Sequence, residues 1–308
     1  MVSNHQFEQY SIVPYERARH EKQAFSLWSQ VYDRKWSIGL PRFQMSFPEK
    51  CCFVAVSSTN LLGFVGTMPS DSALTAIFVR RDCHRHGIGT RLFNQALMYL
   101  RSVGAETVTV GGLPMLWKGV PEEFKAALHF FAEVGCDFKG EILDQYCYLD
   151  DFKYPQELNH SLIACGMKLC LAKKADADRI IRFQKNFFPH WTPLFLSAMQ
   201  KNGLQTIACI KRGNDILGTV LIGRLGVTAP GVQWELLASK GFGSVATLGV
   251  APDERGKRLG FALFAYATKC VQESGAKVCF LNYSEAPVLY RKFGFLDWSQ
   301  YRRFEITL

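Results

Sequence analysis

The sequence lacks any C-x-x-C pair, although it contains ten cysteines. A zinc ribbon and a thioredoxin-type redox site therefore do not fit this chain. Most of the cysteines lie in apolar, strand-like runs such as CCFVAV (51–56) and VCFL (278–281). This placement is typical of free thiols in a protein core, in a reducing compartment.

Long apolar runs are also missing. No stretch approaches the roughly 18 apolar residues of a membrane span, and the polar segment MVSNHQFEQY (1–10) lacks the apolar centre of a signal peptide. The composition, 48% hydrophobic and 20% charged, is typical of globular domains. We therefore expect a cytoplasmic protein that does not associate with membranes.

Positive charge is unevenly distributed along the chain. The net charge is +9, yet residues 1–155 hold 16 basic and 16 acidic residues, so the whole excess lies in residues 156–308. This asymmetry indicates either an anionic partner for the second half or ordinary surface charge. No DNA- or RNA-reading motif accompanies the charge, so we do not expect a nucleic-acid partner.

An internal repeat relates the two halves. AIFVRRDCHRHGIGTRLFNQAL from Ala76 aligns with TLGVAPDERGKRLGFALFAYAT from Thr247 at a constant offset of 171 residues. LLGFVG (61–66) recurs as ILGTVL (216–221), and HFFAEVGCDF (129–138) recurs as VLYRKFGFLD (288–297). We therefore expect two diverged domains, at 1–155 and 156–308.

Each copy has the pattern of an α+β unit around a mixed sheet flanked by helices. In the second copy, LQTIACIKRGNDILGTVLIGR (204–224) predicts a hairpin that turns at GND, and SVATLGVAP (244–252) predicts a strand. A helix is expected to follow and to end at Gly275. LDWSQYRRFEITL (296–308) is expected to form a final pair of strands.

The basic turn RGKRLG (255–260) joins the predicted strand to this helix. A helix N-terminus has unpaired amides and partial positive charge, and glycines allow a ligand to approach the backbone closely. Arg255, Lys257 and Arg258 add full charges, so the turn is typical of a phosphate cradle. The P-loop pattern and the dinucleotide-binding glycine fingerprint are both absent.

The surrounding residues carry a resemblance. GVAPDERGKRLGFALF (249–264) and FVRRDCHRHGIGTRLF (78–93) both resemble the central motif of the GNAT superfamily of acyl-CoA-dependent N-acyltransferases, V-x-P followed by [RQ]-x-x-G-x-[GA]. The resemblance covers nearly the whole chain as two tandem modules, a layout similar to that of mycothiol-synthase-like enzymes. The second copy also looks like modules found beside or fused to hexosaminidase-type glycosidases.

The resemblance implies acetyl-CoA as cosubstrate, no metal, and a set of site residues. In the second copy, the strand is expected to contact the pantetheine arm through Leu248 and Val250, and the Asn282 side chain is expected to lie near the pantetheine or the sulfur. The turn is expected to hold the pyrophosphate through Arg255, Gly256, Lys257, Arg258, Leu259 and Gly260. Tyr290 matches the tyrosine that protonates the leaving thiolate. The cofactor-binding positions expected in the first copy are Val79, Arg85, Gly87, Gly89 and Thr90.

The two copies are not equally equipped for catalysis. Phe131 occupies the position of Tyr290 and Gly111 that of Asn282, while His84 replaces the usual Arg or Gln. Since Phe131 has no hydroxyl, it cannot donate a proton. We expect a degenerate first domain and a catalytic second domain, although Arg258 stands where the motif usually has its first glycine.

The function that this resemblance implies is direct N-acetylation of a small primary amine, such as an amino sugar or an aminoglycoside-like compound. A protein-lysine acetyltransferase and a non-catalytic acyl-CoA sensor or scaffold remain open as alternatives. Glu235, in VQWELL (232–237), is the expected general base or else a surface glutamate. Its neighbour Trp234 is either a substrate-packing residue or a core tryptophan. The oligomeric state is left open.

Overall fold

The computed structural model describes residues 9–58, 60–112, 116–224, 234, 241–284 and 286–308. The chain divides into two compact units. The first consists of Met1–Ile142, Gln233–Leu236 and Ser299–Leu308, and the second of Leu143–Val232 and Leu237–Trp298. The units differ from the sequence halves 1–155 and 156–308, because the end of each half belongs to the unit built mainly from the other half.

The first unit is built on a mixed sheet. Its strands in chain order are β1 (Ser11–Pro14), β2 (Cys52–Val56), β3 (Leu61–Met68), β4 (Ala73–Val79), β5 (Thr107–Val110) and β6 (Val120–Pro121). The order across the sheet is β1-β2-β3-β4-β5, followed by the last strand of the chain, β13 (Leu296–Thr307), to which β6 also pairs. Only the β4–β5 pair among these is parallel.

Helices cover the sheet of the first unit, namely α1 (Arg17–Val31), α2 (Leu40–Ser46), α3 (Ile88–Ser102) and α4 (Lys125–Glu133). The apolar residues of α3 recur every three or four positions, so that Ile88, Leu92, Ala96 and Leu100 all turn toward the sheet and are buried. Gly104, with φ of 97°, follows the end of this helix, where a residue in the left-handed region commonly terminates helices.

The second unit repeats this plan. Its strands are β7 (Asp137–Tyr148, from residue 143 on), β8 (Met167–Leu171), β9 (Ile207–Arg212), β10 (Asp215–Gly223), β11 (Phe242–Val250) and β12 (Val278–Ser284). They are ordered β7-β12-β11-β10-β9-β8, and only β11–β12 is parallel. The helices are α5 (Glu157–Ala164), α6 (Ala177–Phe187), α7 (Thr192–Lys201), α8 (Leu259–Glu273) and α9 (Pro287–Arg291).

The strand at one position of each sheet comes from the other half of the sequence. In the first unit, Phe304–Thr307 of β13 pair with Val110–Thr107 of β5, and in the second, Tyr148–Gln145 of β7 pair with Val278–Leu281 of β12. Each repeat therefore contributes its last strand to the sheet of the other repeat.

Most of the sequence-based expectations for the second copy are confirmed, including the hairpin with its turn at 213–214 and the helix that ends just before Gly275. The expected pair of final strands is wrong, since 296–307 form one continuous strand. The segment contains no Gly, Pro or Asn to interrupt it.

None of the helices within the described ranges is long and apolar enough to cross a membrane. All ten cysteines are described, and all are free thiols. Both modules have the expected α+β architecture, with a mixed sheet flanked by helices.

Candidate active site

The turn between β11 and α8 holds two residues in the left-handed region, Gly256 with φ of 78° and Arg258 with φ of 61°. The helix begins at Leu259 without a capping side chain. The backbone N–H groups of 256–261 make no well-formed hydrogen bond to any residue that the structure describes. Unpaired amides at the positive end of a helix dipole form a binding site for an anion such as phosphate.

The two glycines of this turn have different surroundings. A Cβ on Gly260 would lie 3.6 Å from Leu248 and 3.7 Å from Val250, so this residue packs the start of α8 against the strand. A Cβ on Gly256 would meet nothing within 4 Å. The turn is thus packed against β11 through Gly260 and open to an incoming group at Gly256.

The three basic side chains of the turn make different contacts. Arg255 donates from Nε to the carbonyl oxygen of Val250 at 3.3 Å, which braces the turn against the strand end. Lys257 pairs with Glu254 at 3.1 Å, and Arg212 does so at 3.0 Å. These hydrogen bonds from Arg212 and Lys257 lower the pKa of the Glu254 carboxyl. Arg258 is exposed and makes no ion pair within the described residues.

The strand leading to the turn carries a β-bulge. Thr219 pairs with Gly249 and Leu221 with Ala246, so β11 has one residue more than β10 between these pairs, and Thr247 takes a φ of 52°. Beyond the bulge, the N–H of Ala251 donates to the carbonyl of Leu217. The facing pair of Gly218 and Val250 is therefore non-hydrogen-bonded, and the Val250 N–H points away from β10.

A gap opens beside this strand. The parallel pairing of β11 with β12 covers only Phe242–Ser244 and Val278–Phe280. Farther along, β11 pairs only with β10, and β12 pairs only with β7, among the described residues. The Val250 N–H and the half-buried Asn282 thus lie on strands that have separated. The side chain of Asn282 makes no hydrogen bond within the described part of the chain.

A buried carboxylate fixes the backbone next to Asn282. Asp144 on β7 is fully buried, and its Oδ1 accepts the N–H of Tyr283 at 2.9 Å. Tyr283 has a φ of 58°, and the register between β7 and β12 shifts at this point. Gln145 accepts from Ser284 Oγ at 2.9 Å and donates to Asp297 at 3.0 Å. These contacts hold the end of β12 in its irregular conformation.

Tyr290 lies on the short helix α9. Its ring centroid is 4.5 Å from that of Phe264 on α8 and 6.4 Å from that of Phe295. The ring is partly buried against the core cluster that includes Val250 and Leu259, and Leu248 packs against the same cluster. The structure therefore brings Tyr290, the strand and the turn to one hydrophobic cluster.

The first unit has an equivalent turn. Arg85 has a φ of 65° and Gly87 a φ of 76°, at the positions that Gly256 and Arg258 occupy in the second unit. His84 Nε2 lies 3.0 Å from the carbonyl oxygen of Val79, which is the contact that Arg255 makes with Val250. Gly89 packs near Val79 and Phe130, and Thr90 is exposed in the first turn of α3.

The strands of the first unit also separate, but the space between them is filled. A Cβ on Gly111 would lie 2.6 Å from the carbonyl oxygen of Trp117 and 2.7 Å from the N–H nitrogen of Gly119. A cavity of about 50 Å³ remains, lined by residues that include Tyr32, Leu74, Trp117, Phe124 and Phe131. The loop that carries Trp117 and Gly119 therefore lies directly against Gly111 in the first unit.

Comparison with family models assigns both units. Residues 15–135 match the acetyltransferase (GNAT) family, and residues 205–296 match an acetyltransferase (GNAT) domain. The chain belongs to the GNAT acetyltransferase family. The turn and separated strands described above are therefore the candidate acyl-CoA site of a tandem GNAT protein. A comparison with curated protein sequences finds no match.

Solved structures show the same tandem fold. A region of a fungal multi-domain GH3 β-N-acetylglucosaminidase, described as a unique GCN5-related glucosamine N-acetyltransferase region, is 20% identical with a TM-score of 0.88. It is matched over 97% of this chain, which spans 38% of the length of that protein.

Two further structures extend the likeness. A GCN5-related N-acetyltransferase from Sphaerobacter thermophilus is 14% identical over 97% of this chain and 95% of its own, with a TM-score of 0.71. A tandem GNAT protein from the clavulanic acid biosynthesis pathway is 13% identical, covering 97% and 98%, with a TM-score of 0.61. At these identities the likeness concerns the fold.

The sequence analysis also singled out Glu235 and Trp234. Glu235, the expected general base, lies outside the described residues. Trp234 is fully buried in the first unit, with its ring 4.7 Å from Trp36 and 5.9 Å from Trp117, so it is a core residue of that unit.

The sequence analysis missed Asp144 and Gln145. Both lie in the first repeat, whereas the backbone they fix lies in the second. An alignment of the two repeats does not predict that Asp144 and Gln145 contact the second repeat, because the exchange of the final strands is a property of the fold. The adjacent polar residues Asp144 and Gln145 in EILDQY (141–146), at the end of the first repeat, are the only hint in the sequence.

Proposed function

We propose that this GNAT protein transfers the acetyl group of acetyl-CoA directly to a small-molecule primary amine, and that the second module performs the reaction. The observation that carries this proposal is the row of amides at 256–261 that make no well-formed hydrogen bond to any described residue, beside Gly256, where a Cβ would meet nothing within 4 Å. A diphosphate fits such a cradle, because its oxygens accept from the amides and its charge faces the helix dipole. Arg258 and Lys257 add positive charge at its rim.

The separated strands would receive the pantetheine arm along Leu248 and Val250, with Asn282 across from them. The acetyl thioester supplies an activated carbonyl. Since the Val250 N–H is not used by β10, it is available to donate to the oxygen of that carbonyl as negative charge develops there. A preorganised donor of this kind stabilises a developing oxyanion without reorganising.

We assign the proton of the leaving thiolate to Tyr290 and removal of the amine proton to a carboxylate or an ordered water. Glu235 remains the predicted carboxylate. Tyr290 is supported by its position on the cluster that also holds Val250 and Leu259. No metal is needed for these steps, since the charges that develop are met by backbone and side-chain donors.

For the acceptor, we propose an amino sugar or an aminoglycoside-like amine. The support is the structural relative with the TM-score of 0.88, which is described as a glucosamine N-acetyltransferase region. A cytoplasmic location is part of the same proposal, because acetyl-CoA is an intracellular metabolite and the ten cysteines are free thiols.

The experiment is an acetyl-transfer assay with glucosamine, other amino sugars, an aminoglycoside and a lysine peptide, detected as acetylated product by mass spectrometry. We expect acetylation of an amino sugar or aminoglycoside. In Tyr290→Phe, kcat should fall by about 10²-fold, the usual contribution of a general acid, while calorimetry shows an unchanged Kd for acetyl-CoA.

The control is Phe131→Tyr, which makes the reverse change, the addition of a ring hydroxyl, at the equivalent position of the first module and should leave kcat unchanged. Acetyl-CoA binding without acetylation of any amine would favour the acyl-CoA sensor. Preferential acetylation of the lysine peptide would favour a protein acetyltransferase. An undiminished kcat in Tyr290→Phe would remove the role assigned to that tyrosine.

A further inference from the structure

Two cysteines of the second unit face each other across neighbouring strands. Cys170 on β8 is directly paired with Cys209 on β9, and their Sγ atoms are 3.8 Å apart. Cys170 is partly exposed on the edge strand of the sheet, whereas Cys209 is fully buried. One thiol of the pair can therefore meet a solute, and the other lies directly behind it.

The backbone around this pair matches the geometry of a disulfide. The N–H of Ala172 donates to the carbonyl of Ile207, which makes Cys170 and Cys209 a hydrogen-bonded pair of the antiparallel ladder. Such pairs have Cα atoms about 5.5 Å apart, inside the span of roughly 4.4–6.8 Å that disulfides bridge. A bond between the two sulfurs thus requires little movement of the strands.

A lysine increases the reactivity of the exposed thiol. Lys211 is two residues beyond Cys209 and so lies on the same face of β9. Its Nζ is held 2.9 Å from Oδ1 of the buried Asp176. The hydrogen bond with Cys209, aided by Lys211, lowers the pKa of the Cys170 thiol to about 6. The hydrogen bond with Cys170, followed by burial, raises the pKa of Cys209.

None of the other cysteines combines a lowered thiol pKa, exposure to solvent and an adjacent thiol. Burial raises the pKa of six of them, namely Cys52, Cys83, Cys136, Cys147, Cys270 and Cys279. Cys165 is exposed and Cys51 is partly exposed, but neither has another thiol within hydrogen-bond distance among the described residues. Thiolate character, access and an adjacent thiol together mark a site of reversible oxidation.

We propose that Cys170 and Cys209 form a peroxide-oxidisable thiol pair. The Cys170 thiolate attacks one oxygen of hydrogen peroxide, which breaks the O–O bond, forms a sulfenic acid and releases hydroxide. The Cys209 sulfur then attacks Cys170 Sγ and forms the disulfide, while its proton and the departing hydroxide leave as water. Each pair loses two electrons to one peroxide, and an external thiol such as dithiothreitol reverses the reaction.

The test is oxidation of the full-length protein by hydrogen peroxide under native conditions, followed by alkylation of free thiols, non-reducing trypsin digestion and mass spectrometry. Trypsin leaves Cys170 in the peptide 169–173 and Cys209 in the peptide 202–211. We expect these two peptides to become linked before other cysteines are modified, and dithiothreitol to separate them.

Two variants separate the roles of the thiols. In Cys209→Ser, the sulfenic acid on Cys170 has no partner and should be trapped by dimedone, which labels sulfenic acids. Cys165→Ser is the matched control. In this variant, the Cys170 and Cys209 peptides should become linked as in the unaltered protein. Oxidation of Cys165 while the pair stays reduced, or no dimedone on Cys170 in folded Cys209→Ser, overturns the proposal. If Cys209→Ser fails to fold, the linked peptide in the unaltered protein decides alone.

Discussion

At the scale of single residues, the two turns show how one backbone shape is made from different sequences. Each turn needs two residues in the left-handed region. The first module uses Arg85 and Gly87, and the second uses Gly256 and Arg258. A glycine adopts this conformation without steric cost, whereas another residue does so at a cost of roughly 1–2 kcal/mol. Each turn therefore has one non-glycine residue in this conformation, Arg85 at the first of the two positions and Arg258 at the second.

The conformational cost can be measured at Gly256 without a steric contribution, because a Cβ there meets nothing within 4 Å. We expect Gly256→Ala to lower the free energy of unfolding by about 1 kcal/mol, the penalty for a Cβ in the left-handed region. Denaturation with urea measures this.

The control is Gly260→Ala, in the first turn of α8, where φ is not positive and the new Cβ makes ordinary contacts at 3.6 and 3.7 Å. Alanine favours a helix over glycine by up to about 1 kcal/mol, so this variant should be as stable as the original protein or more so. Equal destabilisation by both substitutions would contradict the explanation.

At the scale of secondary-structure elements, local patterns predict much of the second unit. The hairpin turn, the strand before the motif and the helix that follows it have local causes, such as apolar periodicity and the glycines at their ends. The error at 296–307 has another origin. The strand is continuous because it pairs with β5 and β6, which are distant in the sequence. No local pattern carries that information.

The site was predictable to a similar extent. The repeat and its motif predicted the turn, Val250, Asn282 and Tyr290 as site residues, and their roles stay predictions. The bulge at Thr247 and the support by Asp144 could not be predicted, because a bulge is defined by its partner strand and Asp144 acts from the other repeat. The charge pattern also gave no indication that the Arg255 side chain donates to the carbonyl oxygen of Val250.

The exchanged strand makes a residue of the second sequence half part of the core of the first unit. Phe304 is buried and stacks on Phe131, with ring centroids 6.0 Å apart. We expect Phe304→Ala to destabilise the first unit by about 3–4 kcal/mol, the usual cost of removing a buried phenylalanine. Hydrogen exchange should accelerate in β5 (Thr107–Val110) more than in β9 (Ile207–Arg212).

Phe138→Ala is the control for this measurement, because the Phe138 ring is 6.2 Å from that of Phe304 but is 54% exposed. It should change stability by less than about 0.5 kcal/mol. Faster exchange in β9 than in β5 for Phe304→Ala would argue against the strand assignment.

At the scale of the whole molecule, the two modules have similar turns but differ, within the described residues, in what lies beside the turn. The first module is filled by the loop carrying Trp117, against a glycine that leaves no space for a side chain. We therefore expect isothermal titration calorimetry to give one acetyl-CoA per chain.

A matched pair of substitutions identifies which turn binds. Gly260→Glu places a carboxylate beside the amides proposed to hold the diphosphate and should weaken acetyl-CoA binding by at least about tenfold, equivalent to 1.4 kcal/mol. Gly89→Glu makes the same change in the first turn and should leave both stoichiometry and Kd unaltered. Two bound equivalents, or loss of binding only in Gly89→Glu, would reverse the assignment of the modules.

The reciprocal exchange of final strands has a consequence for how such a protein is inherited. A gene encoding either half alone would lack the closing strand that the module receives here from the other half, so neither half alone can fold as it does here. Splitting the chain near Pro155 should produce fragments that regain structure only when mixed. Deletion of the first half would therefore also remove β7 from the sheet of the second unit.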